Sequence, residues 1–169
     1  AARADLVLLG TDEAAEVFGT ADPRRLRALL PGPRILVVKD GGRGATAFEG
    51  DEEVVEPALT VDVVEPIGAG DAFAAGYLGG LLRGLDQGGR LRLGHVCAAA
   101  ALMVPGDHGT PPNPETLEAL LGCTPSQWAA ISARGGAFGV RTEPKTDAAD
   151  AADPADAADA ADAAEAVAR

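Results

Sequence analysis

Four consecutive residues, Gly68-Ala69-Gly70-Asp71, lie between a β-branched run and a long stretch of small apolar residues. This order predicts a strand, a tight turn and a helix that begins at the turn. The free N–H groups and positive dipole end of a helix N-terminus favour an anion, and glycine lets the backbone approach it closely. A carboxylate at this turn could take a proton from a hydroxyl during phosphoryl transfer. The alternative is a tight turn in which Asp71 is an ordinary first-turn helix charge.

Residues 65–78 resemble the C-terminal signature of the ribokinase (PfkB) family of carbohydrate kinases, in which an acidic or polar residue precedes Gly-Ala-Gly-Asp and a small-residue helix. The resemblance implies that Asp71 is the catalytic base and that Gly68, Ala69 and Gly70 form the anion hole. It also implies ATP and Mg²⁺ as cofactors and a small sugar or sugar acid as substrate. Together with residues 104–107, the segment is most similar to 2-keto-3-deoxygluconate kinases.

A glycine-rich turn, Asp40-Gly41-Gly42-Arg43-Gly44, follows the apolar run 35–38 and Lys39. The family has a nucleotide-contacting loop at this place, so the resemblance implies that Gly41, Gly42 and Gly44 contact ATP. Lys39, one of two lysines in the chain, is then expected to contact a phosphate or the nucleotide. Taken alone, the segment is a hairpin turn with a solvated lysine. Residues 97–104 resemble the wall of the family's adenine pocket; the alternative is that their alanines only permit close helix packing, and no adenine contact is assigned.

The segment Gly10-Thr11-Asp12-Glu13 stands where the family often has Asn-x-x-Glu. The resemblance implies that Glu13 helps to organise Mg²⁺ through water, whereas Gly10 in place of asparagine predicts the loss of a nucleotide or phosphate contact. The alternative for Glu13 is a first-turn helix acid. Glu65 replaces the commoner aspartate at a position sometimes tied to a monovalent cation, and its longer side chain argues against a potassium site.

Apolar runs alternate along the chain with helical patterns, which predicts an α/β fold. The resemblance specifies a ribokinase-like three-layer α/β/α architecture with a mostly parallel sheet. The expected strands cover residues 5–9, 35–38, 45–48, 54–55 and 60–64, and the expected helices cover 11–18, 23–30, 69–83, 91–104 and 114–121.

The resemblance covers residues 4–121, and ribokinase-like enzymes are roughly twice as long as this segment, so the chain is expected to be the C-terminal half of such a kinase. Residues 1–122 are predicted to be the C-terminal part of a PfkB-type kinase domain. Residues 123–145 are predicted to be a short helix and linker, with a helix over 126–132 docked by Trp128. Residues 146–169 repeat an Ala/Asp pattern that predicts a disordered acidic tail.

Composition argues against several partners. The net charge is −12 and the chain has no basic patch, which excludes nucleic acid and anionic membranes as expected partners. No apolar run approaches membrane-spanning length. Two cysteines without a C-x-x-C motif predict free thiols and a cytoplasmic protein. No Walker loop is present, and Phe73 stands where a dinucleotide-binding fingerprint needs glycine.

Two functions remain compatible with these residues. The first is the ATP-binding, base-bearing half of a sugar or sugar-acid kinase. The second is a non-catalytic remnant that acts as a nucleotide-binding or interaction module, because a sugar-binding N-terminal half has no counterpart in the sequence. An unprotected sheet edge left by the absent strands would favour a homo-oligomer. Substrate-dependent ADP release distinguishes the two functions, since only the kinase predicts it.

Overall fold

The computed structural model describes residues 4–106 and 109–140. The predicted acidic tail over residues 146–169 lies outside this part of the chain. The elements are β1 (Leu6–Gly10), α1 (Thr11–Phe18), α2 (Pro23–Leu29), β2 (Ile35–Lys39), a 3₁₀ turn (Gly41–Arg43), β3 (Gly44–Glu49), β4 (Glu52–Pro57), β5 (Thr60–Val61), α3 (Ala69–Leu82), α4 (Gln87–Leu102), α5 (Pro114–Leu121), α6 (Pro125–Ala129), β6 (Ile131–Arg134) and β7 (Ala137–Val140).

The larger sheet has four strands in the order β1-β2-β3-β4. β1 and β2 are parallel, because helices α1 and α2 carry the chain back between them. β3 is antiparallel to both β2 and β4. The sheet is therefore mixed, where the sequence predicted a mostly parallel one. The physical reason is that β2, β3 and β4 are joined by short turns, which can connect only antiparallel strands.

Helices cover both faces of this sheet, which confirms the three-layer α/β/α architecture. Alternate residues of a strand point to opposite faces. Leu36 and Val38 of β2 pack with Leu26 of α2 in one apolar cluster, which lies on the α1 and α2 side. Ile35 and Val37 pack with α3 in another cluster on the opposite face. The continuous apolar run of β2 is thus explained by burial on both sides.

Helices α3 and α4 cross in close contact, and glycines make the contact possible. A Cβ atom on Gly76 would lie 2.5 Å from the carbonyl oxygen of Leu93, and one on Gly94 would lie 2.9 Å from the ring of Phe73. Side chains at these positions would push the helices apart. The small-residue pattern of both helices therefore fixes their separation, and with it the position of the first turn of α3.

A second sheet, in the order β5-β6-β7, packs beside α4 and α5. Its formation changes two expected elements. The strand expected over 60–64 ends at Val61, and Val64 donates its backbone N–H to the carbonyl of Leu102 at the end of α4 (2.8 Å). The helix expected over 126–132 ends at Ala129, because the following residues pair with β5 as strand β6.

Helix boundaries in the first part of the chain follow local signals. Gly19 ends α1 in the left-handed conformation with φ 69°, as helix C-terminal glycines commonly do. Asp22 begins α2 by accepting a hydrogen bond from the backbone N–H of Arg25 (2.7 Å), with Pro23 in the first helical position. Among the helices described, none is long and apolar enough to cross a lipid bilayer.

Candidate functional site

A cleft of about 590 Å³ opens at the carboxyl ends of β1 and β2. Its volume is within the range usual for small-molecule sites. Three segments line it: the start of α1, the end of β2 with the glycine-rich turn, and the first turn of α3. Because β1 and β2 are parallel and end at the paired residues Gly10 and Lys39, the loops that follow them meet at one edge of the sheet.

Gly68 precedes α3 and takes the left-handed conformation, with φ 81° and ψ −10°. A side chain is strained in this region, so glycine is required where the chain turns into the helix. Ala69 and Gly70 of the first turn line the cleft. Asp71 lies in the same turn and is exposed. Within residues 4–106 and 109–140, no hydrogen bond or ion pair holds its carboxylate, which leaves it available to a substrate.

Lys39 brings a positive charge to this helix start. It is half-buried at the end of β2, and its Nζ atom lies 3.2 Å from the position that a Cβ atom would take on Gly70. In the part of the chain that the structure describes, the ammonium group has no carboxylate partner. An unpaired lysine beside the N-terminus of a helix is a suitable environment for a phosphate group.

The glycine-rich turn is held by the carboxylate of Asp40. Arg43 donates to it through Nε and Nη2, both at 2.6 Å, and Thr11 donates through its hydroxyl at 3.0 Å. The Arg43 hydrogen bond is the main reason that the pKa of Asp40 lies below its ordinary value. The turn places Gly41 and Gly42 on the cleft lining.

Gly44 ends the same turn where the backbone of β4 leaves no room for a side chain. Its φ of 143° favours glycine, and a Cβ atom would lie 2.5 Å from the carbonyl oxygen of Glu56. The structure therefore brings Lys39, Gly41, Gly42 and Gly44 together at the cleft with Ala69 and Gly70. These residues are separated in sequence but were all named as site candidates.

Three of the candidates, Gly68, Asp71 and Glu13, are not among the residues that line the cleft; Gly68 and Asp71 flank the lining residues Ala69 and Gly70, and Glu13 lies in the first turn of α1. The Oε2 atom of Glu13 accepts a hydrogen bond from the backbone N–H of Gly10 at 2.7 Å, which caps the start of α1. Glu13 is not among the cleft-lining residues, whereas Thr11 and Asp12 are. In the described residues, no group of three or more His, Cys, Asp or Glu side chains is arranged to hold a metal ion.

The opposite wall of the cleft is apolar except for His95. Ala98, Ala99 and Leu102 of α4 line it, within the small-residue segment that the sequence singled out. His95 donates from Nε2 to the carbonyl of Glu56 (3.1 Å), because a carbonyl oxygen can only accept, and its ring meets Phe73 edge-on at 5.1 Å. Burial lowers the pKa of His95 to about 4, so its imidazole is neutral at pH 7.

A buried ion pair between Arg92 and Glu56 supports the wall of the cleft that contains His95. Arg92 donates to the Glu56 carboxylate at 3.0 Å and stacks over the ring of Trp128, with 5.0 Å between the guanidinium carbon and the ring centroid. Trp128 donates to the carbonyl of Pro57 at 2.8 Å. These contacts fix the end of β4, which in turn contacts Gly44 and His95.

The sequence did not point to the side chains that support the site, namely Thr11, Asp40, Arg43, His95 and the Glu56–Arg92 pair. For two of them a signal was present. Thr11 and Asp40 each stand two residues after an apolar run, and the strands that contain these runs are parallel neighbours. The Glu56–Arg92 pair joins residues far apart in sequence, and no local pattern indicates it.

A comparison with protein families matches residues 1–114 to the pfkB family carbohydrate kinase model. Among curated proteins, the ATP-dependent 6-phosphofructokinase of Thermoanaerobacterium thermosaccharolyticum is 30% identical over 121 residues, which are 70% of this chain and 38% of that protein. The 2-dehydro-3-deoxygluconokinase of Thermoproteus tenax is 34% identical over 121 residues, which are 69% of this chain and 37% of that protein.

Solved structures share the fold. A probable sugar kinase protein from Rhizobium etli superimposes with a TM-score of 0.62 at 26% identity, over 68% of this chain and 36% of that one. A structure described as a putative Ribokinase II from E. coli, in complex with ATP and Mg²⁺, has a TM-score of 0.61 at 24% identity, over 68% of this chain and 38% of that one. The chain thus spans less than two-fifths of the length of these relatives.

Proposed function

The chain belongs to the pfkB family of carbohydrate kinases, and on that premise we propose that it binds ATP in the cleft and transfers the γ-phosphoryl group to a hydroxyl of a sugar or sugar acid. Because the chain spans only 38% and 37% of the two curated relatives, the activity of the chain alone is part of the proposal. The observation on which the proposal rests is that Lys39 lies beside the first turn of α3 in one cleft.

The phosphate groups of ATP fit the charge of this end of the cleft. The backbone N–H groups of Gly68, which precedes α3, and of Ala69 and Gly70 in its first turn have no partners inside the helix. Together with the Lys39 ammonium they supply hydrogen-bond donors and positive charge to the transferring group. Stabilising the charge of that group in place is the main requirement of phosphoryl transfer.

In the proposed reaction, Asp71 accepts the proton of the substrate hydroxyl. The hydroxyl oxygen forms a bond to the γ-phosphorus as the bond from that phosphorus to the β-phosphate oxygen breaks, and ADP leaves. Asp71 suits this role because it is exposed, one residue beyond the proposed anion hole, and without a partner among the described residues. The proton returns to solvent after the phosphorylated product departs.

We assign the nucleotide to the rest of the cleft. Gly41, Gly42 and Gly44 present backbone without side chains beside Lys39, and the apolar face of α4 can cover a flat base. Mg²⁺ bound to the phosphates would neutralise their charge. It is usually held by few protein carboxylates, and Glu13, through water, is the proposed one. A monovalent cation is not part of the proposal, since Glu65 argues against it.

The substrate is proposed to resemble 2-keto-3-deoxygluconate. Support comes from the signature segment and from two 2-dehydro-3-deoxygluconokinases, of Thermoproteus tenax and Bacillus subtilis, at 34% and 32% identity. The relatives also include a 6-phosphofructokinase and a nucleoside kinase at 30% and 34% identity. The family membership therefore supports the broader class, a sugar or sugar-acid hydroxyl, and the finer assignment depends on the signature.

The second candidate is a non-catalytic nucleotide-binding or interaction module. It is favoured by β1, which forms an outer edge of its sheet among the residues that the structure describes. Several apolar side chains are also exposed, including Leu82 at 88%. Such an edge and surface favour association with another polypeptide. Release of ADP only when a sugar acid is added would support the kinase over this alternative.

Calorimetric titration of the purified chain with MgATP tests the proposal. Gly68→Val places a β-branched side chain at φ 81°, so it should distort the anion hole and abolish saturable binding. Gly50→Val is the matched control, because Gly50 also has a positive φ (59°) but lies in the β3–β4 turn, outside the cleft lining. A folded wild-type chain that binds no MgATP would contradict the proposal.

A further inference from the structure

Thr11 and Asp40 connect the start of α1 with the glycine-rich turn. β1 and β2 end at the paired residues Gly10 and Lys39. Thr11 and Asp40 come directly after this pair and therefore lie close to each other. The Thr11 hydroxyl donates to Asp40 Oδ1 at 3.0 Å, and this contact is partly buried. It is a side-chain bond between the loop that begins α1 and the glycine-rich turn.

The turn depends on Asp40 for its shape. Gly41 and Gly42 have no side chains, and a Cβ atom at either position would have no neighbour within 4 Å, so packing does not hold them. The Asp40 N–H donates to the carbonyl of Gly44 at 2.8 Å, and its own carbonyl accepts from the N–H of Arg43 at 2.9 Å. Asp40 thus holds the turn through both its backbone and its side chain, while on the β4 side the N–H of Ala58 donates to the carbonyl of Arg43 at 3.3 Å.

The two side-chain contacts of Asp40 differ in character. Arg43 is highly exposed, with 81% of its side chain accessible, and exposed ion pairs contribute little because water and salt screen them. The Thr11 contact is less accessible and links different parts of the chain. Of the two, the Thr11 contact is the one able to hold the turn against the rest of the cleft.

We propose that Asp40 is a positioning residue, which through Thr11 fixes the glycine-rich turn and the adjoining Lys39 for contact with the phosphates of the nucleotide. The proposal rests on the function proposed above. Asp40 acts through its neighbours and does not itself touch the nucleotide. Its effect is therefore expected on ligands that carry phosphates, and not on the nucleoside alone.

Thr11→Val tests this inference, because valine keeps the shape of threonine but cannot donate to Asp40. Calorimetry with MgATP and with adenosine should show MgATP binding weakened by about tenfold, as for loss of one hydrogen bond to a charged group, and adenosine binding unchanged within about twofold. Thr11→Ser retains the hydroxyl and should restore MgATP affinity. Arg24→Met is the control, because it removes an exposed ion pair with Glu53 that is outside the cleft lining.

Three outcomes separate the inference from the proposed function. Equal MgATP affinity in the wild type and Thr11→Val would overturn the inference and leave the proposed function intact. If Thr11→Val weakens the binding of MgATP and of adenosine equally and lowers the unfolding temperature, Thr11 has a general structural role, and the inference is also overturned. A folded wild-type chain that binds neither ligand would overturn the proposed function, and the inference with it.

Discussion

The Nζ atom of Lys39 lies 3.2 Å from the position that a Cβ atom would occupy on Gly70. The two residues belong to different layers of the fold, because Lys39 ends a strand of the sheet and Gly70 lies in the first turn of a helix that covers it. A Cβ atom on residue 70 would crowd the Lys39 ammonium, which would have to shift slightly to make room. Glycine at this position thus lets the positive charge of a lysine lie beside the N-terminus of a helix.

Replacement of Lys39 by methionine is expected to weaken MgATP binding by roughly 10- to 100-fold, the usual effect of losing a hydrogen bond between charged groups. Calorimetry measures it. Arg34→Met is the matched control, since it removes one positive charge at the other end of β2, where Arg34 is paired with Glu49. Equal weakening in both variants would attribute the effect to net charge and contradict a local role for Lys39.

Asp71→Asn should lower the rate of ADP release with a sugar-acid substrate by roughly 10²- to 10⁴-fold, because the amide cannot accept the hydroxyl proton. MgATP affinity should change little, since the proposed anion hole consists of backbone groups. A coupled assay of ADP formation measures the rate. Asp51→Asn in the β3–β4 turn is a control for the loss of one exposed carboxylate. A rate within about tenfold of the wild type would exclude Asp71 as the base.

Gly10 stands where the family often has an asparagine, and its lack of a side chain predicts the loss of one contact to the nucleotide or a phosphate. Gly10→Asn is therefore expected to strengthen MgATP binding by roughly two- to tenfold, the range of one hydrogen bond. The position accepts a side chain, because Gly10 has φ −86° and ψ 156°, and a Cβ atom would be 3.5 Å from Glu13 Oε2, an ordinary contact. Gly10→Ala is the control, because it replaces the glycine without adding an amide group. If the alanine and asparagine variants bind MgATP equally, the amide makes no contact with the nucleotide.

The pKa of His95 predicts a loss of stability in acid. Its pKa in the folded chain is about 4, against 6.5 for a histidine side chain in water. Between these values the unfolded chain binds a proton that the folded chain does not, so the free energy of unfolding falls as pH falls from 6.5 to 4. Above this window the group contributes no pH dependence, and below it the contribution is constant.

The comparison of His95→Gln with the wild type isolates this effect. Thermal or denaturant unfolding is measured at a series of pH values. Between pH 6.5 and 4, the free energy of unfolding of the wild type should fall by on the order of 3 kcal/mol more than that of the variant. Glutamine can still donate to the Glu56 carbonyl and does not titrate. Parallel pH profiles for the two proteins would contradict the assignment of a neutral, buried His95.

Local signals predicted much of the fold. The capping residues Gly19 and Asp22 and the glycine turn before Asp71 each encode their structure within a few residues, and the structure has α1, α2 and α3 where they indicate. The direction of a strand relative to its neighbours was harder to predict from the sequence. An apolar run such as residues 45–48 reads the same whether its strand is parallel or antiparallel, and only the shortness of the preceding turn distinguishes them.

The supporting contacts of the site were not predictable in the same way. Thr11 and Asp40 are 29 positions apart, and Glu56 and Arg92 are 36 apart. Each pair is formed by the packing of complete elements, and charged residues are frequent enough that sequence does not single these out. Glu13 shows the opposite case, because its first-turn position is enough to explain the bond to Gly10 that the structure contains.

Trp128 is the only tryptophan in the chain, and it is 1% exposed. The Arg92 guanidinium lies over its ring, and the ring of His95, which lines the cleft, is centred 6.5 Å away. Tryptophan emission responds to nearby charge and to changes in packing. The tryptophan emission of this chain therefore comes from one site beside the cleft wall, and it offers an optical test of the proposed nucleotide entry without any added label.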